Sequence, residues 1–248
     1  METKVKNNSK LGYESAYNRI FKRCLDFTIA LFAIIVLLPI ILIFSLAVLI
    51  DSGFPVFYTP LRGGYNGKPF KIIKYRTMVK DADKIGGGTT ALNDPRITKV
   101  GSILRKVKAD EIVQIFNVLT GTMSFVGPRP ELLQYTEQYT EEESVILKVR
   151  PGITDYSSLE FINLDEIVGG ENADEMYEKF VLKRKNQLRI KYAEEVSLKT
   201  DFIILFKTVW CVLEKIIRFF KNKSQRPRKM LFNKFLCLFF NRLFNIIK

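Results

Sequence analysis

FTIALFAIIVLLPIILIFSLAVLI, Phe27–Ile50, is an uncharged and mostly apolar run bounded by Asp26 and Asp51. As one helix it reaches about 36 Å at ~1.5 Å per residue, enough to cross a bilayer. No small-residue cleavage motif follows it, and it is long for a signal sequence. Two features speak against a simple span. Pro39 stands at the centre, where it removes a backbone donor and bends or breaks a helix. The flanks also choose no side. Lys4, Lys6, Lys10, Arg19, Lys22 and Arg23 precede the run, and Arg62, Lys68, Lys71, Lys74, Arg76 and Lys80 follow it. A spanning helix shows a Lys/Arg bias toward one face. Equal flanks suit a re-entrant helix that turns at Pro39 and leaves on the same cytoplasmic side. A spanning helix is the alternative that the residues leave open.

The rest of the chain is of a different kind. Hydrophobic residues make up 47% and charged ones 26%, a mixture that implies separate stretches for lipid and for water. At 248 residues there is room for one domain with attachments. The formal charge is +13, yet Lys215–Lys248 holds ten Lys/Arg and no Asp or Glu, so the basicity belongs mainly to a tail. Histidine is absent, which excludes His general bases, His-assisted nucleophiles and His metal sites. Cys24, Cys211 and Cys237 are far apart and form neither a zinc spacing nor a disulfide framework.

Past the apolar run, Pro55–Tyr58 is β-prone, and Arg62–Pro69 is rich in turn formers with a hairpin signal at Asn66-Gly67. Phe70–Met78 reads as a strand, and Gly86–Thr90 as a plain loop, because no Gly-Lys-Ser/Thr follows to make a phosphate loop. Asp94-Pro95 marks a turn or helix start. A helix is predicted from Asp110, with Ile112, Ile115, Phe116 and Leu119 at i, i+3, i+4 and i+7, and Gly121 as its stop. Further helices are expected over Glu137–Lys148, over Tyr177–Tyr192 as a basic and solvated one, and over Leu198–Leu213. The fold class is mixed α/β, mostly α.

Within ADEIVQIFNVLTGTMSFVGPRPEL, Ala109–Leu132, the adjacent Asp110 and Glu111 point about 100° apart on a helix. They cannot face each other across one bond as a glycosidase pair does. They suit two jobs, a carboxylate nucleophile at phosphorus and a ligand for Mg²⁺. An ordinary role at a helix start, where acids favour the macrodipole, is the competing reading. Around them stand Lys74, Arg76, Arg96, Arg105, Arg129 and Arg150, candidates for binding a diphosphate through the planar, always charged guanidinium fork. Pro128 and Pro130 lock the backbone on both sides of Arg129.

KRCLDFTIALF, GKPFKIIKYRTM, NDPRITKVGSILRK, the Ala109–Leu132 stretch, VRPGIT and SLKTDFIILFKTVWCVL together resemble, in order and spacing, the bacterial sugar transferases, the monotopic polyprenyl-phosphate phosphoglycosyl transferases. The resemblance covers roughly residues 20–215. It implies a membrane-embedded monotopic protein with a Pro-kinked re-entrant helix and a compact cytoplasmic catalytic domain at the bacterial inner membrane. The implied reaction moves a sugar-1-phosphate from a UDP-sugar to polyprenyl (undecaprenyl) phosphate and releases UMP. It begins a surface polysaccharide or glycoconjugate. Asp110 then maps onto the family's nucleophile and Glu111 onto its Mg²⁺-assisting carboxylate. Some positions depart from the family pattern: Leu38 where Ser is frequent, Ala109 for Leu, Val113 for Pro, and Asp155-Tyr156-Ser157-Ser158 where many members continue with Gly.

Residues 1–24 are expected to form a basic segment, 25–51 the membrane helix, 52–217 the transferase domain and 218–248 a basic tail. In that tail Lys234, Cys237, Asn241, Asn245 and Lys248 recur every three or four residues among Phe, Leu and Ile. That pattern fits a membrane surface and anionic lipids better than nucleic acid, which has no use for a greasy face. Membrane lipids and a second copy of the chain, as a homodimer, complete the expected partners. A non-catalytic membrane scaffold is the rival reading of the whole.

Overall fold

The computed structural model describes residues 11–82, 94–162, 164 and 173–223. The loop expected at Gly86–Thr90 and the amphipathic pattern beyond Met230 lie outside them. The apolar run falls in one helix, α1 (Lys22–Ser52), which continues a π-helical turn at Tyr17–Phe21. A long stretch without charge or glycine forms a helix because the helix satisfies its own backbone polar groups away from water. The helical conformation continues through Pro39.

One side of α1 lies on the rest of the protein. Near its start Ala30 packs with Phe70, Ile72, Ile115, Val118 and Met123. Further along, Ile41 and Val48 pack with Tyr75, Leu104 and Val113. The opposite side carries Phe32, Ile35, Leu42, Ile43 and Ile50, all exposed. Both ends are pinned by polar contacts. At the start Arg23 donates to the carbonyls of Val118 (2.6 Å) and Leu119 (2.8 Å), and Asp26 accepts from the Phe125 N–H at 3.2 Å. Lys22 pairs with Asp201 there. At the far end Asp51 accepts from the Val100 N–H at 2.9 Å, and Arg76 donates to Ser52 and to the Gly53 carbonyl (2.7 Å).

Among the described residues the β structure is three two-stranded pairs. β1 (Phe57–Tyr58) pairs antiparallel with β4 (Lys74–Tyr75), and β2 (Leu61–Arg62) with β3 (Phe70–Lys71). The second pair closes round the expected turn, where Asn66 and Gly67 both take positive φ. Phe70–Met78 is two short strands rather than one. Asn117 takes the place of a neighbouring strand between them, accepting from the Ile73 N–H (2.9 Å) and donating to the Lys71 carbonyl (2.8 Å).

The helices follow as α2 (Lys99–Lys106), a 3₁₀ turn over Ala109–Gln114, α3 (Ile115–Thr120) and α4 (Leu133–Thr136). β5 (Ser124–Val126) lies parallel to β6 (Gly152–Thr154), which leads into α5 (Tyr156–Glu160). The helix expected over Glu137–Lys148 is reduced to a 3₁₀ segment at Glu143–Lys148. Thr140 and Glu143 cap each other's backbone and begin that new turn. The Tyr177–Tyr192 helix is longer than expected: α6 (Ala173–Tyr177), a π-helical stretch and α7 (Lys183–Glu195). It is also not solvated, since Lys185, Asn186, Arg189 and Tyr192 are buried. α8 (Leu198–Lys223) closes the described chain and contains the predicted Leu198–Leu213 helix.

Candidate active site

Lys108, with φ 57 and ψ 24, is left-handed and turns the chain sharply before Ala109. This conformation is uncommon for a residue with a side chain and is found where a local constraint imposes it. It sets Asp110 and Glu111 at the first positions of the 3₁₀ turn, beneath β4 and α2.

Glu111 is the focus of the charges. Lys74 on β4 donates to its Oε1 at 3.0 Å, and Arg129 pairs with the same oxygen. Burial alone would raise the Glu111 pKa, but Arg129 and Lys74 outweigh it and hold the carboxyl well below the usual carboxylate range. Glu111 in turn pushes Arg129 further up. Asp110 goes the other way. Burial, then the adjacent Glu111 charge, raise it, while Lys74, Arg105 and Lys108 oppose the rise. Its Oδ1 is buried and has no hydrogen-bond partner among the described residues. The two carboxylates are thus pushed apart, one fixed as an anion and the other open, which is the pattern of groups with different roles.

Arg129 is aimed by its turn. Gly127 and Gly152 lie so close that a Cβ on Gly152 would meet the Gly127 nitrogen at 2.1 Å, so the GPRP and RPGIT motifs each need their glycine. The Gly127 N–H donates to the Thr154 carbonyl (2.9 Å) and the Gly152 N–H to the Pro128 carbonyl (3.0 Å). Arg129 itself donates from Nη1 to the Ile153 carbonyl at 3.3 Å.

Among the sequence candidates, then, Asp110, Glu111, Lys74 and Arg129 come together, with Arg105 near enough for its charge to act on Asp110. The others serve elsewhere. Arg76 closes the end of α1 through Ser52 and Gly53, with its Nε and Nη1 unpartnered among the described residues. Arg96 is held by Asp94 (Nη2–Oδ2 2.6 Å) and donates to the Ala82 carbonyl. The Arg150 guanidinium lies 5.1 Å from the Tyr65 ring centroid. Pro39 is inside α1, remote in sequence from the pair.

Residues that sequence reasoning missed stand behind the turn. Glu131 accepts from Arg189 Nη2 (2.9 Å) and from the Tyr177 hydroxyl (2.5 Å). Asp155 is fully buried, accepting from Ser157 and Ser158 at 2.7–2.9 Å and from the Arg129 N–H at 3.4 Å. The only signal for Asp155 was its place where the family often has Gly. Nothing in the pattern marked Arg189 as buried.

Magnesium binds through one or two carboxylates plus substrate phosphates, retaining water elsewhere. Asp110, with a buried oxygen that no described residue hydrogen-bonds, fits that requirement, with Glu111 beside it. Among the described residues no cluster of three or more Asp, Glu, His or Cys forms a cage of its own. On the other side of the Arg129 turn, beside Glu131 and Tyr139, lies a void of about 10 Å³, of the order of one water. A larger open groove, about 450 Å³ between Tyr156, Leu159, Phe206 and Trp210, contains none of the candidates.

Comparison with known proteins identifies the family. The family profile described as bacterial sugar transferase matches residues 17–215. The UDP-glucose:undecaprenyl-phosphate glucose-1-phosphate transferase of Escherichia coli (strain K12) is 38% identical over 200 residues, which are 79% of this chain and 41% of that protein. An uncharacterized sugar transferase, EpsL, of Bacillus subtilis (strain 168) is 36% identical over 195 residues, 78% of this chain and 88% of that protein. The UDP-N-acetylgalactosamine-undecaprenyl-phosphate N-acetylgalactosaminephosphotransferase of Aeromonas hydrophila is 32% identical over 201 residues, 77% of this chain and 43% of that protein. The chain therefore spans less than half the length of the two relatives whose names state a reaction, and most of EpsL. It belongs to the bacterial sugar transferase family.

Proposed function

We propose that this bacterial sugar transferase moves a sugar-1-phosphate from a UDP-sugar to polyprenyl (undecaprenyl) phosphate, the first step of a surface polysaccharide or glycoconjugate. One observation carries the reading: Asp110 has a buried oxygen with no hydrogen-bond partner among the described residues, beside a Glu111 that Arg129 and Lys74 hold as an anion. In the first step an Asp110 oxygen attacks the β-phosphorus. The bond from that phosphorus to the bridging oxygen breaks, and UMP leaves with that oxygen. The phosphosugar is then an acyl phosphate on Asp110. In the second step an oxygen of polyprenyl phosphate attacks the same phosphorus, and the Asp110 carboxylate is the leaving group. Lys74, Arg105 and Arg129 lower the cost of gathering phosphate charge near the carboxylates. Mg²⁺, held by Asp110 and Glu111, would supply further neutralisation of phosphate oxygens.

The membrane reading follows from α1. Its exposed apolar side suits lipid, and both of its ends are tied to the same domain, at Val118, Leu119 and Asp201 on one side and Val100 and Arg76 on the other. Such ties support a helix that enters and leaves on one face, bending at Pro39, over one that separates its ends by a bilayer. The catalytic domain then faces the cytoplasm, where nucleotide sugars are made. Membrane lipids, and a second copy of the chain as a homodimer, belong to the same reading.

The test is UMP release in lipid discs containing polyprenyl phosphate and Mg²⁺, with a panel of UDP-sugars. UMP from one donor is expected. Asp110→Asn should insert normally and lose at least about 10³-fold in rate, as loss of a nucleophile requires. Unchanged turnover in that variant would refute the assignment.

A further inference from the structure

Gln114 ends the 3₁₀ turn that carries Asp110 and Glu111. Its side chain is fully buried, and among the described residues neither its Oε1 nor its Nε2 has a hydrogen-bond partner. Its sequence neighbours Val113 and Ile115 both belong to apolar clusters. Buried amides are almost always hydrogen-bonded, and one that is not needs a reason, such as a ligand that arrives later. Position supplies the reason. In a 3₁₀ turn residues three apart eclipse, which puts Gln114 on the same face of the turn as Glu111, the residue that Lys74 and Arg129 engage. Asp110 Oδ1, in the same turn, is buried and unpartnered too.

We propose that Gln114 is a further ligand-contacting residue of this site, its Oε1 joining the carboxylates of Asp110 and Glu111 as a neutral oxygen ligand to a divalent cation. Its Nε2 is then free to donate to a phosphate oxygen brought in by the substrate. An amide oxygen is a hard ligand acceptable to magnesium, and being neutral it adds no charge to a turn that already carries two carboxylates. The donor phosphate rests on the transferase reading. The cation contact does not.

The test separates the two. Wild type, Gln114→Met and Gln114→Glu, each full-length in lipid discs, are titrated with Mn²⁺ while free Mn²⁺ is followed by electron paramagnetic resonance, without any sugar donor. Melting is recorded in parallel without metal. Gln114→Met should melt no lower than wild type, because it removes an unpaired buried amide. It should bind Mn²⁺ about ten-fold or more weakly, the usual loss when a contact at a metal site is removed. Gln114→Glu keeps an oxygen and should retain Mn²⁺ binding. Wild-type Mn²⁺ affinity in Gln114→Met, no Mn²⁺ binding by wild type, or a Gln114→Met protein that melts lower or does not fold would each overturn the proposal. A wild type that binds Mn²⁺ through Gln114 yet releases no UMP would sink the reaction and leave this inference standing.

Discussion

Lys185 shows how much a single buried group decides here. Its ammonium donates weakly to the Tyr177 hydroxyl at 3.4 Å and sits 4.7 Å from that ring centroid and 5.9 Å from that of Phe161. The charges that act on it come from Arg189 on its own helix, Glu131 and Arg129 on the GPRP turn, and Asp155 after β6. Burial first, then Arg189, bring its pKa down to about 7 from an ordinary 10.5. Between those two values the unfolded chain holds a proton that the folded chain has lost, so stability rises with pH across that window. Below about 7 both states are protonated, and the full cost of the buried charge is present. Lys185→Met removes that cost. Its melting temperature should exceed that of wild type by several degrees at pH 6, and the gap should narrow as the pH climbs toward 10. A gap that is constant with pH would show that Lys185 is not a buried titrating group.

Elements were legible where the signal was local. The apolar run became α1, the Asn66-Gly67 turn closed a strand pair, and Gly121 ended α3. Gly121 has φ 84, and a Cβ there would come within 2.9 Å of the Arg23 guanidinium that caps α3 from the start of α1. Gly121→Ala should therefore destabilise the protein by about 1–2 kcal/mol from backbone conformation alone. Displacing Arg23 should add to that, read as a lower melting temperature with α1 less protected from hydrogen exchange. Elements that depend on distant partners were not legible. Asn117 splits the Phe70–Met78 strand from 46 residues further along the chain. Glu131, under the Pro-Arg-Pro turn, converts a helix that reads as solvated into one with a buried Arg189. The site divides the same way. Asp110, Glu111 and Arg129 could be picked out because they are close in sequence and stiffened by proline. Lys74 was found by charge alone, while Arg76 and Arg96, chosen on the same ground, are engaged with Ser52, Gly53 and Asp94.

For the whole molecule, α1 is both anchor and wall. It buries one side against the clusters that position Val113 and Ile115, the residues flanking Gln114, so the membrane element and the site share a core. With both ends of the helix tied to one domain, single cysteines placed at positions 15 and 60 should react with a membrane-impermeant maleimide from the same side of sealed vesicles. Reaction from opposite sides would replace the re-entrant reading with a spanning one. The central claim is chemical, and mass spectrometry tests it most directly. Wild-type protein is given its UDP-sugar and Mg²⁺ without polyprenyl phosphate, quenched rapidly and digested. The account predicts a phosphosugar on the peptide containing Asp110, absent in Asp110→Asn and discharged when polyprenyl phosphate is added. UMP formation only with acceptor present, and no adduct on Asp110 at any time, would contradict it.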